Sequence, residues 1–369
     1  MWYRSTVILC ALLLPAFPPS ATAQISFHVE TVDSTGNTGI GASLALDSQG
    51  RPHIACVEAL SQKTRYTVKT GAIWTAQPGP PYADSRSGVT LVLDAADNPG
   101  IAHIGTYFRR VGGSWVAEDM GGFSPWFSTV AQDAAGGLQG VTIWSWGSGA
   151  YEGYVSYTVR TGDTWSDMIL ADGTFYPSNP HASFVIDRHG DPHISLTSTS
   201  GDSVRYWHRT NGVWSQVVFT PGAWSSIALD EQDVPRISYY DTVARDLVLA
   251  LQSNGAWVTV PLDQSGDVGQ YTSQAIRGGV SHITYYAKSL GDLRYAVFSP
   301  TAGTQGALIQ TVDSPGDVGA WTSLVLDGLG LPHIAYRDVG NGDLKYACAA
   351  VQVPAEKKTV GGVKWLYRR

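Results

Sequence analysis

The chain has 369 residues, 43% of them hydrophobic and 15% charged, with 41 Gly, 19 Pro, 13 Trp and 18 Tyr. That apolar and aromatic content excludes a disordered chain, and Gly plus Pro at roughly one residue in six excludes a coiled coil. A formal charge of −7 argues against a nucleic-acid partner, which would select a basic face.

In chain order, residues 1–23 read as a secretory signal peptide. Arg4 supplies the positive start, Val7 to Ala16 the short apolar stretch, and Ala21-Thr22-Ala23 the cleavage site before Gln24. The apolar run is too short to span a bilayer and no later segment is long enough. A secreted, periplasmic or cell-surface product without a membrane span is therefore expected, as a monomer. A strand follows at FHVETVD (27–33), and then a phrase that recurs. Its clear copies are SLALDSQGRPHIA (43–55), SFVIDRHGDPHIS (183–195), SIALDEQDVPRIS (226–238) and SLVLDGLGLPHIA (323–335). Weaker copies are TLVLDAADNPGIA (90–102), TVAQDAAGGLQGV (129–141) and QAIRGGVSHIT (274–284). The position of His53 is thus filled in turn by Gly100, Gln139, His193, Arg236, His282 and His333, at intervals of 39 to 54 residues.

Such a period marks a repeat architecture with one supersecondary unit per copy. Within each unit short period-two apolar runs are separated by turn residues: the "SLAL" run, the "HIAY" run, a third such as DLRYAV (292–297) or DLKYAC (343–348), and a fourth opening at Trp. The fourth-run residues are Trp74, Trp115, Trp165, Trp214 and Trp257, with Leu308 in the sixth unit. These runs predict an all-β chain: a seven-bladed β-propeller of four-stranded antiparallel blades over residues 24–352. The seventh unit lacks a Trp run after Cys348, and ETVD (30–33) repeats the form of QTVD (310–313). The N-terminal strand is therefore expected to complete the last blade, a three-plus-one closure.

The phrase resembles the secreted bacterial propeller repeats of the sialidase-like or BNR-like type, over roughly residues 25–350. The resemblance implies the propeller fold. The Asp-box of true sialidases is degraded: its nearest match, TVRTGDTW (158–165), carries Arg160 where the motif has Asp. That departure argues against sialidase activity and leaves the fold untouched.

The recurring Asp/His pairs Asp47/His53, Asp187/His193 and Asp327/His333 could hydrogen-bond across their turn. Recurrence in several blades assigns them to blade stability, since an active site occurs once. The Trp series reads as inter-blade packing for the same reason. Cys56 and Cys348 fall on blades that meet at the closure, either as a disulfide or as buried free thiols. The loops DSTGNTG (33–39), DQSGDVG (263–269) and DSPGDVG (313–319) read as Asx-type turns; Ca²⁺ is the weaker alternative, no zinc spacing occurs and no cofactor is expected.

Ligands of a propeller meet the face where outer strands lead to the next inner strand. Two residues before each "SLAL" Ser, or its equivalent, stand Gly41, Gly88, Phe127, His181, Trp224, Tyr271 and Trp321. These would ring the channel mouth, with the Gly pair leaving a gap on one side. Loops between second and third strands add Glu58, Asp241, Lys288, Arg337 and Asp338. Aromatic faces beside carboxylates and cations suit sugars, whereas the plainer alternative is that the aromatics plug the channel. Three functions follow: a binding module for carbohydrate or a protein surface, a polysaccharide hydrolase or lyase, or an interaction scaffold without a small ligand. A hydrolase needs two facing carboxylates, for which Glu58, Asp241 and Asp338 stand available. A lyase needs a base and a cation, here Tyr240 or Tyr286 with Lys288 or Arg337. From Val353 to Arg369 the chain carries five Lys/Arg and one Glu, similar to short basic C-terminal tails on some secreted bacterial proteins, for sorting or anchoring; a frayed tail is the alternative.

Overall fold

The computed structural model describes residues 25–81, 87–121, 125–146, 152–174, 181–197, 202–300 and 306–350. The expected signal peptide (1–23) and basic tail (353–369) lie outside them. Among the described residues there are seven four-stranded sheets, every strand pair antiparallel, each sheet one blade. Blades 1 to 6 each run in simple sequence order from inner to outer strand. Blade 7 joins Val318–Leu326, Pro332–Asp338 and Asp343–Ala350 to the N-terminal strand Ser26–Asp33, which pairs with Asp343–Ala350 from Ser26↔Ala350 to Asp33↔Leu344. This is the three-plus-one closure that the sequence predicts.

The recurring phrase decomposes into contacts. Its Asp ends the inner strand and caps the turn: Asp47 Oδ1 accepts from the Gln49 and Arg51 amides at 2.9 and 2.8 Å, and Asp327 accepts from Leu329 and Leu331. Its Ser is an inter-blade clamp. Ser43, Ser183, Ser226, Ser273 and Ser323 each accept, through Oγ, an amide N–H of the following blade's inner strand at 2.9 to 3.1 Å. The Ser323 bond reaches Leu44 and so spans the closure. Its Ile lies in the slab between blades: Ile54, Ile101, Ile194, Ile237, Ile283 and Ile334 are fully buried, each worth about 2 kcal/mol. The core is accordingly seven separate apolar clusters, one at each blade interface.

The His of the phrase works inside its blade. His53 Nδ1 meets the Tyr66 hydroxyl at 2.6 Å and its Nε2 meets Asp47 at 3.2 Å; His193–Tyr206 and His333–Tyr346 repeat the first contact, and His282 meets Tyr295. Where Gly100 replaces His, the Tyr107 hydroxyl fills the vacated space. The same Tyr receives a Trp of the next blade edge-on, at ring distances of 5.1 to 5.9 Å for Tyr346–Trp74, Tyr66–Trp115, Tyr107–Trp165, Tyr157–Trp214 and Tyr206–Trp257. At the closure Phe27 takes the Trp position, edge-on to Tyr295 at 5.5 Å. The sixth unit corrects the sequence reading by one residue: Leu308 pairs with Val297 and is 42% exposed, while Ala307 packs on the core. Both cysteines are free thiols; Cys56 is buried and Cys348 partly so, in the cluster between blades 7 and 1.

Candidate functional site

The face where each inner strand begins is built on a recurring backbone irregularity. In blades 5, 6, 7 and 1 the inner strand slips register between Ala223/Ser226, Gln270/Ser273, Ala320/Ser323 and Ile40/Ser43. Each slip centres on a left-handed residue: Trp224 (φ 47°), Tyr271 (φ 53°), Trp321 (φ 55°) and Gly41 (φ 54°). A bulge of this kind re-aims a side chain, and for an aromatic residue the left-handed conformation costs of order 1–3 kcal/mol. The following blade holds the bulge in place, with the Thr272 hydroxyl donating to the Trp224 carbonyl at 2.9 Å and Thr322 to that of Tyr271 at 2.8 Å.

The three strained aromatics form a continuous crescent across blades 5 to 7. Trp224 lies 5.3 Å from Tyr271, and Tyr271 lies 4.8 Å from Trp321, with Trp224 backed by Tyr240 at 5.4 Å. All three are partly exposed, whereas Phe127 across the axis is buried and tilted against His181 at 6.0 Å. A small axial cavity of about 90 Å³ is lined by Gly41, Gly88, Phe127, His181, Tyr271 and Trp321, so six of the seven ring positions converge and Trp224 stands outside them. His181 Nδ1 is buried there with no hydrogen-bond partner among the described residues, and burial lowers the imidazole to about 4 against the opposing hydrogen bond to the Ser225 backbone, keeping it neutral.

At the Gly pair the two backbones approach each other directly at the edge of this cavity. A Cβ on Gly41 would stand 2.0 Å from Gly88 Cα, and the Val89 amide donates to the Gly41 carbonyl at 3.2 Å. Two backbones touch where other blades place side chains. In the second-to-third loops, Glu58 accepts from the Leu60 and Ser61 amides at 2.9 and 2.8 Å, Asp241 from Val243 and Ala244, and Asp338 from the Asn341 amide and Nδ2. Each of these carboxylates is engaged by amides of its own loop, and Glu58 accepts from the Asn37 amide at 3.4 Å as well. Lys288 is exposed and makes no ion pair among the described residues; Arg337 is partly buried beside the closure.

Sequence reading missed a latch between neighbouring blades. Tyr240 donates to Asp267 Oδ1 at 2.9 Å and Tyr286 to Asp317 Oδ1 at 2.5 Å, each reaching the loop that leads into the next blade. Desolvation, with the carboxylate beside it, pushes Tyr240 up to about 12 and Tyr286 upward as well, so both stay protonated. At the third such loop the pair is Arg337 Nη2 donating to Asn37 Oδ1 at 2.5 Å. The signal was present in the fifth position of the three D-x-x-G-[DN]-x-G loops. The first Asp of these loops is engaged too: Asp263 accepts from Tyr285 at 2.6 Å and Arg294 at 2.8 Å, and Asp313 from Tyr336 and Lys345. Among the described residues no three His, Cys, Asp or Glu side chains converge as a metal cage.

Fold and face together define a seven-bladed β-propeller with an aromatic crescent at one end of its axis. No protein-family model matches the sequence, and no curated protein resembles it in sequence. Solved structures do resemble it. BBS1N, crystallised in complex with ARL6DN, superposes with a TM-score of 0.58 at 9% identity over 89% of this chain and 97% of that one. An ulvan lyase bound to -[GlcA(1-4)Rha3S]- gives 0.57 at 10% identity, over 87% and 96%. The polysaccharide lyase Uly1 gives 0.51 at 10%, over 86% and 90%. At these identities the likeness establishes the fold. No helix among the described residues is long and apolar enough to cross a membrane.

Proposed function

We propose that the chain is an exported carbohydrate-binding propeller that holds sugar rings against Trp224, Tyr271 and Trp321. The observation that carries this is the repeated left-handed bulge, which spends strain in three consecutive blades to turn a large aromatic toward the funnel face. Channel filling alone needs no strain, because Phe127 fills the axis from unstrained backbone. Aromatic faces stack on the C–H faces of pyranoses while nearby polar groups meet the hydroxyls. The test is a glycan and polysaccharide array with the intact protein, followed by the Trp224→Ala/Trp321→Ala variant. Retention that drops at least tenfold in the variant supports the assignment; unchanged retention overturns it.

A polysaccharide-cleaving enzyme is the second reading, favoured by one feature. Burial raises the carboxyls of Asp292 and Asp343 above their ordinary range, the direction of a general acid. They open equivalent third strands of blades 6 and 7, so neither is unique to its blade. Tyr240 and Tyr286, held protonated, are unsuited to act as a base. Fragments with new reducing or unsaturated ends in the same array would make it an enzyme, and a blank array would make it a protein-binding scaffold.

A further inference from the structure

The latch between blades is rebuilt at one seam. In blades 5 and 6 the second strand ends in a Tyr that donates to an Asp of the following loop. The backbone of that loop residue is fixed alike each time, its carbonyl accepting from Ser289 (onto Asp267), Val339 (onto Asp317) or Ala59 (onto Asn37) at 3.2, 2.7 and 2.8 Å. At the closure both partners change together: Tyr becomes Arg337 and Asp becomes Asn37. The exchange retains the hydrogen bond, replaces a neutral donor by a cation, and removes the carboxylate that would balance it. Arg337 makes no ion pair among the described residues, whereas Arg236 and Arg294 each face an Asp. Arg337 also lies beside the crescent: its Cα partner is Ala320, the residue before Trp321.

We propose that Arg337, oriented by Asn37, is an anion subsite at the end of the aromatic crescent, taking the carboxylate or sulfate ester of an acidic glycan. This rests on the carbohydrate reading for the glycan and on the latch alone for the anion. A planar guanidinium anchored through one Nη presents its remaining N–H groups to an oxyanion, and a desolvated position strengthens the bond. An aromatic platform and one fixed cation together favour a chain of sugar rings with a charged group at regular spacing.

The decisive variant is Asn37→Asp/Arg337→Tyr, which installs at the closure the latch already used by the two preceding blades. Asn37→Asp alone supplies Arg337 with an internal carboxylate, and serves if the double variant unfolds. Free glucuronate and inorganic sulfate are titrated calorimetrically into each protein, alongside polyglucuronate, dextran sulfate and neutral dextran. In the wild type at least one anion binds, and the tighter of the two names the source. Either variant weakens that binding roughly tenfold to a hundredfold, the measured worth of a hydrogen bond to a charged group, with an unchanged melting temperature. Anions that bind wild type and variants equally, or bind neither, overturn the subsite. Anion binding lost in the variants without any polysaccharide retained upholds the subsite and overturns the carbohydrate reading. Retention of neutral dextran alone does the reverse.

Discussion

Acid strips stability from this propeller at its axis, and His181 is the residue that reports it. Its Nδ1 is buried beside the axial cavity with no hydrogen-bond partner among the described residues, and burial lowers the ring from 6.5 to about 4. Between those values the unfolded chain binds a proton that the folded chain excludes, so stability is complete above about pH 6.5 and falls as pH descends toward 4. At about 1.4 kcal/mol per pH unit, the drop amounts to about 3 kcal/mol. His53, His193, His282 and His333 are lowered by burial as well and add to the slope with the same sign. His181→Gln isolates one residue from that sum. Urea unfolding followed by tryptophan fluorescence at pH 7, 6, 5 and 4 yields the stability gap between wild type and variant. Whatever its size at pH 7, the gap should narrow by about 3 kcal/mol by pH 4, because all other titrations cancel. A gap constant across that range would refute the assignment of a neutral, desolvated imidazole at the axis.

Other substitutions probe the ring directly. Gly41→Ala should cost about 3 kcal/mol or more, since its Cβ meets the Gly88 backbone, while Gly50→Ala, left-handed but with open space around it, should cost about 1 kcal/mol; chemical denaturation of both separates contact from conformation. Phe27→Ala removes the ring that stands in for Trp at the closure and should lower stability by about 3 kcal/mol, with hydrogen exchange rising first in residues 26–33 and 343–350. Ser323→Ala deletes the clamp from blade 7 to Leu44 and should cost about 1 kcal/mol by the same denaturation assay.

The fold was legible because each repeat residue has one job that recurs in most of the blades. The Ser clamps, the Asp turns, the buried Ile and the Tyr-seeking His and Trp impose a fixed spelling, and their period counts the blades. The funnel face was less legible because its residues do not repeat. Gly41 and Gly88 looked like missing side chains, and only their backbone contact shows that they fit together. Glu58, Asp241 and Asp338 looked like site carboxylates, yet a carboxylate ending a strand is also the best acceptor for the amides of the loop it begins. The left-handed conformation of Trp224, Tyr271 and Trp321 carries no sequence signal, since bulky residues there run against backbone preference. The Arg337–Asn37 pair was visible only as two unrelated letters about 300 positions apart.

That distance has a consequence for how the ring comes to exist. Strand Ser26–Asp33 precedes the other described strands and pairs with the one farthest from it in sequence, Asp343–Ala350. Until that partner is made it is an unpaired edge, the kind of segment that seeks other strands. Its polar side chains, with His28 and Thr31 exposed and Glu30 half-buried, make it a less inviting edge for indiscriminate pairing than an apolar strand. Because the ring closes by pairing its two ends, the hydrogen bonds from Ser26↔Ala350 to Asp33↔Leu344 can form only once all seven blades are present, and the whole ring is one closed loop held by that seam.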